Sequence, residues 1–401
     1  MRTGSLTAQQ KTVWQWLRGL NTPRLRKVLW YGLLAGLSIF ALSHFNLAGL
    51  TQSISQISWW LIAVLAILQL ASIVMVNAQW HKVAQFSRAQ LTFRDMFRIN
   101  CQGAVMDSIT PGVKIGGEVT RAVQISRTGN CCNTEAAAVV AVQKLFSMSA
   151  FTFINLFALG YLVKTPAIQA IPGAIALQVV VYAILITLLV LTLAIFIAPD
   201  RLTAALLRRE KRNLQTSKTC AQMLVKTDNQ SQKPTVTDRL CTFALFLLQQ
   251  ISLVRQDLKA CMYLVALSFA IWLMYPLKMY LLATQIHLDV HAIYLTAVTF
   301  AAYLVAMIPL FPGGLGGFEG TMTGLLVLGG FTASSALVAT VIFRFFTFWF
   351  TMLVSIAYLA AEKPLQFLGQ LPLFSRFTGR QGSNNKERAT SNQEKRRYQH
   401  A

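Results

Sequence analysis

Long apolar runs alternate along this chain with short polar or basic intervals, and the runs are of a length suited to membrane-spanning helices. Residues 28–43, 58–78, 134–163, 175–198, 260–283 and 332–361 read as spans. Trp59, Trp60 and Trp80 flank the second at the places where interfacial aromatics anchor a helix. Pro276 and Lys278 interrupt the fifth. Residues 240–254 are apolar-leaning but contain Gln249 and Gln250, and are short for a span, which predicts an interfacial or cytoplasm-facing helix.

Two further segments break the pattern. Residues 99–133 contain Asp107, Pro111, five glycines, Lys114, Glu118, Arg121 and Arg127, which is too polar and too interrupted for a lipid-facing helix. Backbone broken at membrane depth is tolerated only inside protein or against a water-filled cavity. The segment therefore reads as a re-entrant hairpin entering from the cytoplasm. Residues 293–331 contain a second such break, and a cytoplasmic C-terminus requires this hairpin to enter from the opposite side. The predicted fold is an all-α polytopic membrane protein of about six full spans plus two broken-helix hairpins, arranged as inverted repeats.

Composition agrees with that pattern. The chain is 55% hydrophobic, with a mean hydropathy of +0.51, yet its formal charge is +22. Residues 1–27 hold six Lys/Arg and no acid, residues 199–259 eleven against five, and the tail after Ala361 eight against three. Residues 44–58 hold none of either sign. Basic residues favour the cytoplasmic side, so both termini and the central loop of a multi-pass chain are expected there. Orientation signals and attraction to anionic headgroups suffice to explain the charge, and no nucleic-acid partner is needed. The expected organisation is a basic N-terminus (1–27), a first membrane repeat (28–198), a cytoplasmic linker (199–258), a second membrane repeat (259–361) and a basic disordered tail (362–401). The first span reads as a retained signal-anchor rather than a cleaved signal peptide. Six cysteines, at 101, 131, 132, 220, 241 and 261, form no C-x-x-C pair and no metal-type spacing, so they read as reduced and structural.

One short motif occurs twice, 201 residues apart: residues 111–118 and 312–319 both read P-G-x-x-x-G-x-E. Lys144 follows Glu118 by 26 residues, and Arg344 follows Glu319 by 25. The helices that follow also begin alike, each with a small-residue run after a threonine, which permits close helix approach. Broken segments at corresponding places in two halves are the best sequence pointer to a transporter-type site.

A carboxylate at bilayer depth costs on the order of 3 kcal/mol, so Glu118 and Glu319 need a partner or a cavity. Glu118 can pair with Arg121 or Lys144, and Glu319 with Arg344. Gly112, Gly116, Gly117, Gly313, Gly314, Gly316 and Gly317 either allow a tight turn or offer amides for a phosphate, with Lys114 and Arg121 as basic partners in the first copy. Lys278 either snorkels or lines the same cavity. His287, Asp289 and His291 have H-x-D-x-H spacing but read as ordinary loop residues, so no metal or cofactor is expected. The candidate substrate-binding set is Gly112, Lys114, Gly116, Glu118, Arg121, Lys144, Gly313, Gly317, Glu319 and Arg344.

These motifs, Thr110-Pro111-Gly112 through Gly117-Glu118 to Arg121-Ala122 and Pro312-Gly313-Gly314-Leu315-Gly316 to Glu319, resemble the two signatures of the lysylphosphatidylglycerol synthase transmembrane-region family, also called UPF0104. The resemblance covers residues 28–361, with Arg344 matching a recurrent basic residue of the last span. It implies a lipid-translocating module, multi-pass in a bacterial inner membrane. In two-part members the module moves an aminoacylated phospholipid that a separate soluble domain makes. Only forty residues follow Ala361, so that synthase activity is not expected here. The leading expectation is a flippase or scramblase for an anionic or zwitterionic phospholipid or a polyprenyl-linked lipid. The alternatives are an intramembrane headgroup transferase using Glu118 or Glu319 as general base, and a non-transporting partner of a lipid-modifying enzyme docked through the basic loop.

Overall fold

The computed structural model describes residues 57–110, 115–163, 169, 172–204, 236–285, 291–308 and 314–369. Among them every regular element is helical: α1 (Trp59–Ala84), α2 (Phe93–Ile109), α3 (Ile115–Thr128), α4 (Asn133–Val163), α5 (Ala174–Ile197), α6 (Val236–Gln256), α7 (Leu258–Gln285), α8 (Ala292–Ala306), α9 (Gly317–Leu328), α10 (Ala333–Arg344), a π-helical segment (Phe345–Phe350) and α11 (Thr351–Gly369). The helix starts are written in the sequence. Ser58 accepts the Leu61 N–H, and Thr92 and Asp95 form a reciprocal capping box at α2. Thr332 accepts the Ser335 N–H at the start of α10.

Among the described residues, five helical stretches are long and apolar enough to cross a membrane: Trp59–Ala84, Asn133–Leu162, Gln178–Ile197, Leu258–Gln285 and Ala333–Glu362. The protein is thus an all-helical polytopic membrane protein. Five expected spans fall on these stretches, and the first, residues 28–43, lies outside the described residues. One detail differs: Pro276 does not interrupt its span, because α7 runs continuously from Leu258 to Gln285. A proline inside a membrane helix is tolerated when neighbouring groups satisfy the backbone it frees.

Half of the most apolar window of α4 is buried, against 6% for α5. The first is therefore the central post of the bundle and the second a peripheral, lipid-facing helix. α4 packs against α3, α5, α6, α7 and α8, and α1 lies against α7. Residues 240–254, read as an interfacial or cytoplasm-facing helix, form part of α6, which buries Ile251 and Val254 in the same apolar core as Trp80, Met96, Val139 and Leu264. Arg255 of α6 holds Asp200 at 2.8 Å, tying the end of α5 to this helix.

The order long, short, short, long occurs twice: α1 to α4, then α7, α8, α9 and the rod formed by α10, the π segment and α11. The short members contain 17, 14, 15 and 12 residues. At about 1.5 Å per residue, each is shorter than the ~30 Å hydrocarbon core. α2 packs on α3 and α8 on α9. The last helix continues past Ala361 to Gly369, and Glu362, expected in the tail, is 8% exposed and held by Arg98 of α2 at 3.2 Å.

Candidate functional site

Each repeated motif delivers its glutamate to the first turn of a short helix, where a carboxylate also complements the helix dipole. In the first half, Glu118 of α3 meets Lys144 of α4, Oε1 to Nζ 2.6 Å. In the second, Glu319 of α9 meets Arg344 of α10, Oε1 to Nε 3.1 Å. Equivalent positions therefore form equivalent ion pairs, and of the two partners open to Glu118 the fold selects Lys144. The two pairs differ in depth: the side chains of the first are about a third exposed, whereas Arg344 is 7% exposed. The Arg344 guanidinium also lies between two rings, 4.7 Å from the Phe318 centroid and 4.6 Å from Phe348.

Arg121 turns elsewhere. Its Nη1 donates to Asp107 Oδ2 of α2 at 3.1 Å, and its guanidinium sits 5.4 Å from the Trp80 ring. Asp107 also accepts the Gly117 N–H at 3.0 Å, so one carboxylate clamps α2 to α3. A side chain at Gly117 would overlap that carboxylate, and one at Gly116 would overlap Thr110. These two glycines permit close helix contact. Gly316, at φ +82°, instead permits the turn into α9, and its N–H donates to Glu319 Oε2 at 2.6 Å. The amides of Gly117 and Gly316 are thus used by the chain's own carboxylates rather than held out for a phosphate. Gly317 sits against Val305. Gly112, Lys114 and Gly313 lie outside the described residues, as do His287 and Asp289.

Glu118, Arg121, Lys144 and Arg344 all line one cavity of about 420 Å³, together with Asp107, Gly314 and Phe348. The cavity therefore draws on both motifs. Its remaining wall is polar on one side: Gln69, Ser72 and Gln79 of α1 face it, with Asn100 of α2 and Gln143 of α4. Gln79 donates to Ser268 at 2.6 Å and accepts from Gln143 at 2.9 Å. Asn100 Oδ1 and Gln143 Oε1 are buried without a hydrogen-bond partner among the described residues. On the other side stand Trp272, Tyr275 and Tyr303, part of an aromatic cluster with Phe151 and Phe300.

Lys278 neither snorkels nor lines the cavity. It is 1% exposed, with Nζ bonded to Gln69 and Ser72 behind the polar wall. Asp107 and the glutamines were not marked as site residues by the sequence. Their pairing spans different helices and leaves no local spacing signal, although the polarity of Asp107 inside the hairpin was visible.

The family model described as the lysylphosphatidylglycerol synthase TM region matches residues 28–355, a stretch containing both motifs and both ion pairs. The chain belongs to this family. One UPF0104 membrane protein, from Methanothermobacter thermautotrophicus, is 22% identical over 292 residues, covering 73% of this chain and 82% of that protein. Another, UPF0104 membrane protein MJ1595 from Methanocaldococcus jannaschii, is 29% identical over 99 residues, 25% of this chain and 30% of that protein. Family membership is consistent with a lipid-related membrane protein, and both relatives are named as membrane proteins without a stated activity.

Proposed function

We propose that this protein moves a lipid headgroup across the bilayer through the cavity between its two halves, as a flippase or scramblase. The observation that carries the reading is the pair of equivalent ion pairs, Glu118–Lys144 and Glu319–Arg344, whose cations line one cavity among spanning helices. Together with Asp107–Arg121, the three pairs balance in charge. A zwitterionic headgroup suits such a site: its ammonium exchanges with the cations on the carboxylates while its phosphate takes the cations, so charge stays compensated throughout passage. The unpartnered acceptors at Asn100 and Gln143 add places for N–H or O–H donors of the headgroup.

The same reading makes the α2–α3 and α8–α9 pairs re-entrant hairpins of inverted repeats, entering from opposite faces, with both termini cytoplasmic. The shortness of these four helices, their packing as hairpins and the twofold order of elements support it. The test is transbilayer movement of fluorescent phosphatidylethanolamine and phosphatidylglycerol in proteoliposomes. The native chain should accelerate movement, and E118Q/E319Q should abolish it while still inserting and folding. Equal movement by the folded double variant would remove the carboxylates from the path. A folded native chain that moves neither probe would turn the reading toward a polyprenyl-linked cargo or headgroup chemistry.

A further inference from the structure

Lys278 stands mid-helix in α7, almost wholly buried, without a carboxylate beside it among the described residues. Its Nζ donates to Gln69 Oε1 and, at 3.0 Å, to Ser72 Oγ. Both acceptors are aimed by bonds of their own. Gln69 Nε2 donates to Thr351 Oγ1 at 2.8 Å, and the Ser72 hydroxyl donates to the Leu68 carbonyl at 2.8 Å. Two oxygens thus face the lysine, matching the two N–H groups of a neutral amine. The third proton of an ammonium has the face of Tyr275, whose centroid lies 5.2 Å away. Either protonation state has a geometry here, and no opposite charge locks one of them in place.

Of the two buried cations among the described residues, Arg344 has a carboxylate and Lys278 has none. Every carboxylate with a described side chain is engaged elsewhere: Asp107, Glu118, Glu319, Glu362 and Asp200 by arginine or lysine, and Glu135, Asp95 and Asp257 by backbone N–H groups. The elements packed on α7 are α1, α4, α6, α8 and α10. α1 carries His81 and Lys82 further along the helix, and α4 carries Lys144, held by Glu118. α6 carries Arg255, held by Asp200; α8 carries Tyr303; and α10 carries Arg344, held by Glu319. None of their described side chains brings a carboxylate to Nζ.

Gln69, Ser72, Tyr275 and Thr351 line the cavity while Lys278 lies behind them, so a proton can reach the amine where a headgroup cannot. The 201-residue offset that relates the two motifs also relates Lys278 to Asn77, a buried neutral amide bonded to Asn100. The cation is therefore confined to one half.

We propose that Lys278 binds and releases a proton, and that this step governs movement through the adjoining cavity; the second clause rests on the translocation reading above. The proton reaches and leaves Nζ from the side of the adjoining cavity, whose lining includes Gln69 and Ser72. Protonation adds one positive charge beside three balanced ion pairs and pulls on Gln69, hence on Thr351. Thr351 directly follows the π segment that holds Phe348 against Arg344. A π turn of this kind is a common mark of a functional site.

Two measurements test the proposal on the full chain. The first compares thermal unfolding of the native protein, K278M and K278Q in detergent between pH 5 and 9, since a group that titrates in the folded protein makes stability pH-dependent. The gap between native and variant midpoints should change with pH by several degrees; a constant gap for both variants overturns the proton site. The second imposes a pH gradient on proteoliposomes carrying fluorescent phosphatidylethanolamine. Native movement should respond several-fold and K278Q movement should not. Equal responses, or no response in either, overturn the coupling. A native chain that moves no probe at all overturns translocation of this phospholipid and the coupling to it together, while the unfolding comparison still decides whether Lys278 binds the proton.

Discussion

At the scale of single residues, the two glutamates sit in the same place yet in different surroundings. Glu319→Gln leaves the Arg344 guanidinium buried between two rings without its carboxylate. Breaking a buried pair from one side costs on the order of 3 kcal/mol, because a charge is left uncompensated. Glu118→Gln should cost clearly less, since Lys144 is about a third exposed and can be solvated. The double variant E319Q/R344M should be more stable than the sum of its singles, because it removes both charges at once. Thermal unfolding of the four proteins in detergent checks this ordering; equal losses for E118Q and E319Q would refute it. Among these partners, the glutamates and their distant cations could be read from the repeated motif and its spacing. Asp107 could not be assigned to Arg121, because that contact spans the α2–α3 turn and follows no helical period.

The hairpins are built at the scale of elements, and their tightness depends on missing side chains. Gly117→Ala would drive a methyl into the Asp107 carboxylate and part α2 from α3. The expected loss is about 1–3 kcal/mol, typical of overpacking, with the Asp107–Arg121 pair disturbed as well. Gly324→Ala on α9 meets nothing within 4 Å and is exposed, so it should be neutral or stabilise by up to ~1 kcal/mol through helix propensity. Unfolding midpoints of the two alanine variants should therefore move in different directions or by very different amounts. Helix existence was legible from apolar run length, as with α1, α4, α5 and α7. The behaviour of Pro276 was not, because whether a proline breaks a membrane helix depends on the neighbours that satisfy its freed backbone. What α6 packs against was not legible for a similar reason: the burial of Ile251 and Val254 is decided by the core they meet.

For the whole molecule, the inverted-repeat reading makes a geometric prediction. The α3–α4 turn and the α9–α10 turn should open to opposite sides of the membrane. Cys132 lies exposed in the first, and Ala333, equally exposed, starts the helix after the second. A membrane-impermeant maleimide applied to one face of oriented vesicles should label Cys132 or, in a Cys132→Ser background, Ala333→Cys, but not both. Labelling of both from the same face would refute the inversion. Helix α5, with 6% of its apolar window buried, should tolerate apolar exchange along its length, whereas Leu188→Lys should impair insertion, read as loss of membrane-extracted protein.

Apolar run length, basic bias and a twice-written motif were enough by themselves to establish a polytopic helical membrane protein, to locate five of its spans and to single out Glu118, Lys144, Glu319 and Arg344. Those features are local or periodic, and hydrophobic burial and helical hydrogen bonding act on them directly. Tertiary structure alone decided that Lys144 rather than Arg121 takes Glu118, that Asp107 clamps α2 to α3, and that Lys278 is enclosed by Gln69 and Ser72 without a counter-ion among the described residues. The reason is physical. A buried charge chooses its partner by distance in three dimensions and by the water it loses, and neither quantity is written in the order of the residues.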